Sequence, residues 1–127
     1  MASIVFDSSA VLAHLNDEPG SERAAPLFGD ALICAVNFAE IVTKLVERGI
    51  ALDIIRAALA RYGLQVVVYD EALAERTGAL RARTKASGLS LGDRACLALA
   101  ERFGLPVLTA DRMWKGLDLS IDVQLLR

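Results

Sequence analysis

Histidine is nearly missing from this chain: His14 stands alone among 127 residues. That excludes a histidine-rich metal centre. A Ser/His/Asp triad would need His14 as its base, and no nucleophile elbow presents a serine to it. Cysteine is scarce as well. Cys34 and Cys96 lie inside apolar runs without metal-ligand spacing, so they read as two buried thiols. No apolar run approaches the roughly 18 residues of a membrane span. There is no basic leader, and Asp7 interrupts the first apolar stretch. This argues against a signal peptide and leaves the cytoplasm as the default location. Neither sign of charge dominates, and the net charge of −2 argues against broad electrostatic attraction to nucleic acid.

What is abundant is apolar surface. Hydrophobic residues make up 54% of the chain and mean hydropathy is +0.41, high for a protein this small. The excess predicts a contact patch for a partner or a second copy, with the segments 38–48 and 52–62 offering most of it. Without a repeat, linker or low-complexity tract, 127 residues predict one domain over 1–127.

Short strands alternate with helical segments. Ser3–Phe6, Ala31–Val36, Gln65–Tyr69, Pro106–Thr109 and Asp122–Leu125 read as strands, the third being the clearest by its valines. Ser8 and Ser9 can cap a helix through Leu15, and a short helix is expected over Glu22–Phe28. Asn37 is expected to cap a helix to Arg48, and Leu52–Tyr62 forms another. Residues 71–86 read as one charged helix interrupted only by Gly78, and Ser90 caps a helix ending at Phe103. This order predicts an α/β layered fold around a mostly parallel sheet.

Four acids stand at element ends: Asp7 after the first strand, Glu40 opening a helix, Asp93 in Leu91-Gly-Asp-Arg, and Asp111 in Thr109-Ala-Asp-Arg. In open parallel sheets ligands bind beyond the carboxyl ends of strands. If the four converge, they repel. A like-charged pair about 4 Å apart costs roughly 4 kcal/mol at an effective dielectric near 20. A hard divalent cation such as Mg²⁺ or Mn²⁺ offsets that. Local capping explains the same residues differently. Asp7 can cap the helix that follows it. Asn37-Phe-Ala-Glu40 and Ser90-Leu-Gly-Asp93 both have the spacing of a capping box. Asp93 also begins the apolar stripe Cys96, Leu97, Ala100 and Phe103. An acid there is expensive unless paired or bound to a cation.

Val5-Phe-Asp7-Ser-Ser-Ala10, Asn37-Phe-Ala-Glu40-Ile, Leu89-Ser-Leu-Gly-Asp93-Arg-Ala-Cys-Leu-Ala and Val107-Leu-Thr-Ala-Asp111-Arg-Met-Trp resemble the PIN-domain ribonucleases, and more narrowly VapC toxins of bacterial toxin–antitoxin pairs. The resemblance runs from about residue 3 to residue 125, with all four motifs in order. It implies a three-layer α/β/α sandwich with an acidic pocket for Mg²⁺ or Mn²⁺. It also implies endonucleolytic cleavage of RNA, commonly tRNA or rRNA. By matched position Asp7, Glu40, Asp93 and Asp111 become both the catalytic quartet and the metal ligands, with Thr109 and Ser8 as supporting polar groups. A homodimer and a cognate VapB-type antitoxin, whose C-terminal segment lies across the pocket, complete what the resemblance implies. Trp114 is expected in the core, and Asp118 and Asp122 face solvent.

Other classes fit less well. A receiver domain wants paired acids after the first strand and a lysine after the fifth. A haloacid-dehalogenase phosphatase wants Asp-x-Asp, where this chain has Asp7-Ser-Ser. A non-catalytic RNA- or protein-binding module with capped helices is the remaining alternative. Arg76, Arg81, Arg83 and Lys85, with Arg94, Arg112 and Lys115 near the acids, make either a solvated helix face or a basic rim that guides a phosphodiester.

Overall fold

Five short strands, all parallel, form one sheet in the order β3-β2-β1-β4-β5: β1 is Ile4–Phe6, β2 Ala31–Cys34, β3 Gln65–Val67, β4 Val107–Thr109 and β5 Val123–Leu125. The computed structural model describes residues 1–127. Six helices complete it: α1 Ser8–Leu15, α2 Ala35–Glu47, α3 Leu52–Ala60, α4 Glu71–Ala79, α5 Arg81–Thr84 and α6 Leu91–Phe103.

Strand side chains alternate between faces, and the core divides accordingly. Ile4, Phe6, Ala31, Ile33 and Leu108 pack against residues of α1, α2 and α3 on one side. Val5, Leu32, Cys34 and Val107 pack against α4 and α6 on the other, where Trp114 is 1% exposed and belongs to the core as expected. A sheet buried on both faces between helices is the three-layer α/β/α sandwich.

Several local expectations are revised. The chain preceding β2 forms two 3₁₀ turns, Ser21–Arg23 and Ala25–Asp30, with Pro26 near the start of the second, rather than one helix over 22–28. The long helix over 71–86 breaks at Leu80, after Gly78, and continues as α5 and a further 3₁₀ turn. The valine-rich strand is the exposed edge of the sheet, with Val66 42% and Val68 75% exposed. β2 ends at Cys34, so α2 starts at Ala35 and Asn37 is its third residue, not its cap.

The apolar excess surfaces where the composition placed it. A groove of about 580 Å³ runs between α2, α3 and β3, with Phe38, Val42, Ile55, Leu59 and Val66 among its walls and Arg56 its only charged residue. No helix is long and apolar enough to cross a membrane.

The strand order carries the functional consequence. From β1 the chain winds outward through β2 and β3, then returns to the opposite side of β1 for β4 and β5. The winding reverses between β1 and β4, and such switch points open a crevice at the carboxyl ends of the strands. Asp7 follows β1 there, its backbone N–H donating to Leu108 O at 3.0 Å.

Candidate active site

Asp7 is the deepest of the four acids, 5% exposed. It takes extended backbone angles as the N-cap of α1, but its side chain makes no capping bond. Its Oδ2 instead accepts from Ser9 Oγ at 2.7 Å and Thr109 Oγ1 at 2.9 Å. Both hydroxyls are fixed by β4-side amides: Ala110 N donates to Ser9 Oγ at 2.9 Å and Asp111 N to Thr109 Oγ1 at 3.1 Å. Ser9, not Ser8, is therefore the supporting hydroxyl. The pair Ser8-Ser9 gave no way to choose without knowing that α1 begins at Ser8.

Burial raises the Asp7 carboxyl from its ordinary 3.8 to about 6. The two hydroxyl donors oppose this, and the charges of Asp93 and Glu40 add to it. Two of the predicted acids, Asp93 and Glu40, thus act on Asp7 at the switch point. Asp111 is not among the charges that raise Asp7. It is exposed, one hydroxyl removed from Asp7 through Thr109, and its Oδ1 accepts from Met113 N at 3.0 Å, capping the 3₁₀ turn Arg112–Gly116.

Capping settles differently at the two helix starts. Ser90 and Asp93 form a true capping box, with Asp93 N donating to Ser90 Oγ at 3.1 Å and Ser90 N to Asp93 Oδ2 at 3.0 Å. At α2 there is no box. Asn37 is fully buried, and its Nδ2 donates to Glu40 Oε1 at 2.9 Å and to Gly92 O at 3.0 Å. This amide was missed as a site residue because its sequence position suited a cap.

The four acids share a pattern. Each gives one carboxylate oxygen to the protein: Oδ2 of Asp7 and Asp93, Oε1 of Glu40, Oδ1 of Asp111. The other oxygen of each accepts no protein hydrogen bond. In this arrangement no three carboxylate, thiol or imidazole groups stand close enough to enclose an ion. A Mg²⁺-type ion does not need such a cage, because it retains several waters and binds through one or two carboxylates plus substrate phosphate. Hard oxygen donors with free lone pairs, around a carboxyl that burial first and neighbouring charges second push up, fit Mg²⁺ or Mn²⁺.

The cations divide. Arg76 and Arg83 pair with Glu101 at 3.4 and 3.0 Å. Arg94 donates to Thr77 O at 3.0 Å, and Arg112 to Arg127 O at 3.2 Å. Arg81, Lys85 and Lys115 are exposed and make no ion pair within the chain. The basic stretch is therefore partly neutralised.

Cys34 and Cys96 are both fully buried. Desolvation raises both thiols, and at Cys96 the charges of Asp7, Cys34, Asp93 and Glu40 add to the effect. Both stay protonated and unreactive. A thiol reagent such as Ellman's is expected to titrate no cysteine in the folded chain and two after denaturation; a rapid native reaction would contradict this burial.

The PIN domain family model matches residues 4–118. No curated protein matches the chain in sequence. Among solved structures, a toxin–antitoxin complex from Klebsiella pneumoniae superposes with a TM-score of 0.79 at 20% identity, covering 98% of each chain. A DNA-bound VapBC from Salmonella typhimurium gives 0.76 at 21% identity over 100% of each chain. The sarcin–ricin loop cleaving toxin VapC20 of Mycobacterium tuberculosis gives 0.71 at 20%, covering 91% of this chain and 96% of that one. These likenesses concern the fold, which agrees with the sandwich and switch-point crevice described above. With the family model running from β1 past β4, the chain belongs to the PIN-domain family.

Proposed function

We propose that this chain is a divalent-metal-dependent endoribonuclease acting in the cytoplasm as the toxin of a VapBC-type toxin–antitoxin pair. Residues 1–127 form its single nuclease domain, and tRNA or rRNA is its substrate class. The observation that carries the reading is the buried Asp7 carboxyl at the sheet's switch point, held through Oδ2 by Ser9 and Thr109 and facing the added charge of Asp93 and Glu40. A chain that needed only a stable core would not hold three acids there. The fold shared with toxin–antitoxin complexes from Klebsiella and Salmonella supports the toxin assignment. VapC20, described as cleaving the sarcin–ricin loop, supports RNA as substrate.

Asp7, Glu40 and Asp93, with Asp111 at the rim, would hold Mg²⁺ or Mn²⁺. Such an ion supplies Lewis acidity to the phosphodiester and acidifies water. The protein's own part is positional. Ser9 and Thr109 direct their protons to Asp7 Oδ2, keeping Oδ1 available. Asp7 must lose its proton to bind a cation, so binding weakens as pH falls below about 6. Arg81, Lys85 and Lys115 remain to meet phosphate.

The apolar groove between α2 and α3 supports a protein partner, read as a second copy and a VapB-type antitoxin whose C-terminal segment crosses the acidic crevice. Expression of the wild type and of Asp7→Asn, followed by sequencing of RNA ends, tests the reading. New ends are expected with the wild type only, and purified protein should lose cleavage in chelator and regain it with Mn²⁺. Cleavage unaffected by chelator would sink metal dependence. Identical RNA ends from both proteins would sink the nuclease.

A further inference from the structure

We propose that Asn37 and Gly92 together set the position of the Glu40 carboxylate, which makes Asn37 a positioning residue of the site. The inference rests on the reading above, in which Glu40 belongs to the metal-holding acids. Asn37 and Glu40 are three residues apart in α2, so their side chains share a face. Both amide hydrogens of Asn37 are spent: one on Glu40 Oε1 at 2.9 Å, the other on Gly92 O at 3.0 Å. One fully buried side chain thereby ties the first turn of α2, the first turn of α6 and a site carboxylate.

The Asn37 Oδ1 is buried without a partner. An unpaired buried acceptor is destabilising, and an apolar residue of similar volume would avoid it. Stability alone therefore does not account for an asparagine here. What the amide gives in return is a fixed direction for Glu40.

Gly92 supplies the opposite wall. A β-carbon added there would collide with Glu40 Oε2 and lie 2.9 Å from Glu40 Cδ. The carboxylate thus rests directly on the backbone of α6, one residue before Asp93. Because the colliding group is the end of a flexible side chain, alanine at this position moves Glu40 without opening the core.

Isothermal titration with Mn²⁺, thermal unfolding without metal, and RNA cleavage test the proposal on Glu40→Gln, Gly92→Ala, Asn37→Ala and the double variants. Glu40→Gln is expected to weaken Mn²⁺ binding at least as much as the loss of an outer-shell partner does, about tenfold or more. Gly92→Ala should show a similar loss with an unchanged melting temperature. Adding it to Glu40→Gln should cost nothing more, because both act on one carboxylate. Asn37→Ala should show the same loss and the same non-additivity, whatever it does to stability. Wild-type Mn²⁺ affinity in both Gly92→Ala and Asn37→Ala, with Glu40→Gln impaired, overturns the positioning role and leaves Glu40 in the site. Fully additive losses overturn it too. Wild-type affinity and cleavage in Glu40→Gln remove Glu40 from the site and the positioning role with it.

Discussion

Asp7→Asn is expected to unfold at higher urea concentration than the wild type at pH 8 in chelator, while losing at least about 100-fold in RNA cleavage. The stability gain follows from burial. The carboxyl's ordinary value of 3.8 becomes about 6 in the folded chain, so the folded state binds the proton more tightly than the unfolded state. Stability from this group is therefore full below about pH 4 and is lost as pH rises through 6. The rise corresponds to about 3 kcal/mol lost at pH 8. Asparagine keeps the shape and can turn its oxygen toward Ser9 and Thr109, whose hydroxyls already donate at this place. The gain should shrink toward zero at pH 4. Added Mn²⁺ should stabilise the wild type and not the variant, since ions bound only by the folded state add stability. A variant less stable than the wild type at pH 8 would mean that the hydroxyl donors outweigh desolvation.

Gly20→Ala carries the largest expected loss of stability, on the order of 2–4 kcal/mol. Gly20 has φ of +88°, in the left-handed region, and a β-carbon there would collide with Leu126 O and lie 2.8 Å from Leu126 C. The obstacle is backbone, so no rotamer change relieves it. Arg127 further pins the tail, donating to Pro19 O at 2.7 Å and to Glu18 at 3.0 Å. Leu126 N in turn donates to Thr109 O at 2.9 Å. Displacing Leu126 therefore disturbs the residue whose hydroxyl holds Asp7, and the fraction that remains folded should cleave RNA more slowly. Equilibrium urea unfolding measures the first effect, and initial rates corrected for folded fraction measure the second. A midpoint matching the wild type would show that the tail shifts freely.

Asp7, Asp93 and the strands around them were legible because each lies where a short apolar run meets a polar residue, a local signal. The parallel sheet followed from strand–helix alternation. Asn37 was misread for a physical reason: the capping-box spacing fits it, but β2 stops at Cys34 and the helix begins three residues early. Which side of the helix start a residue falls on depends on the strand's pairing partners, and those are distant in sequence. The strand at Gln65–Val67 was legible from its valines, but valine content reports strand propensity and not whether a strand is central or at an edge. The effect of Glu40 and Asp93 on Asp7 depends on α2 packing against α6 and α6 against β1, contacts between segments distant in sequence. The exposed position of Asp111 had no signal in its motif at all.

The sheet stops at β3, whose outer side has no neighbouring strand, and two valines stand bare beside it. Main-chain donors and acceptors left open along such a border are a template for another chain. Concentrated without a companion to shield that border, the molecule has a built-in route to sheet-to-sheet aggregation. Its solubility is thus coupled to its company: a protein that covers this border also protects the fold.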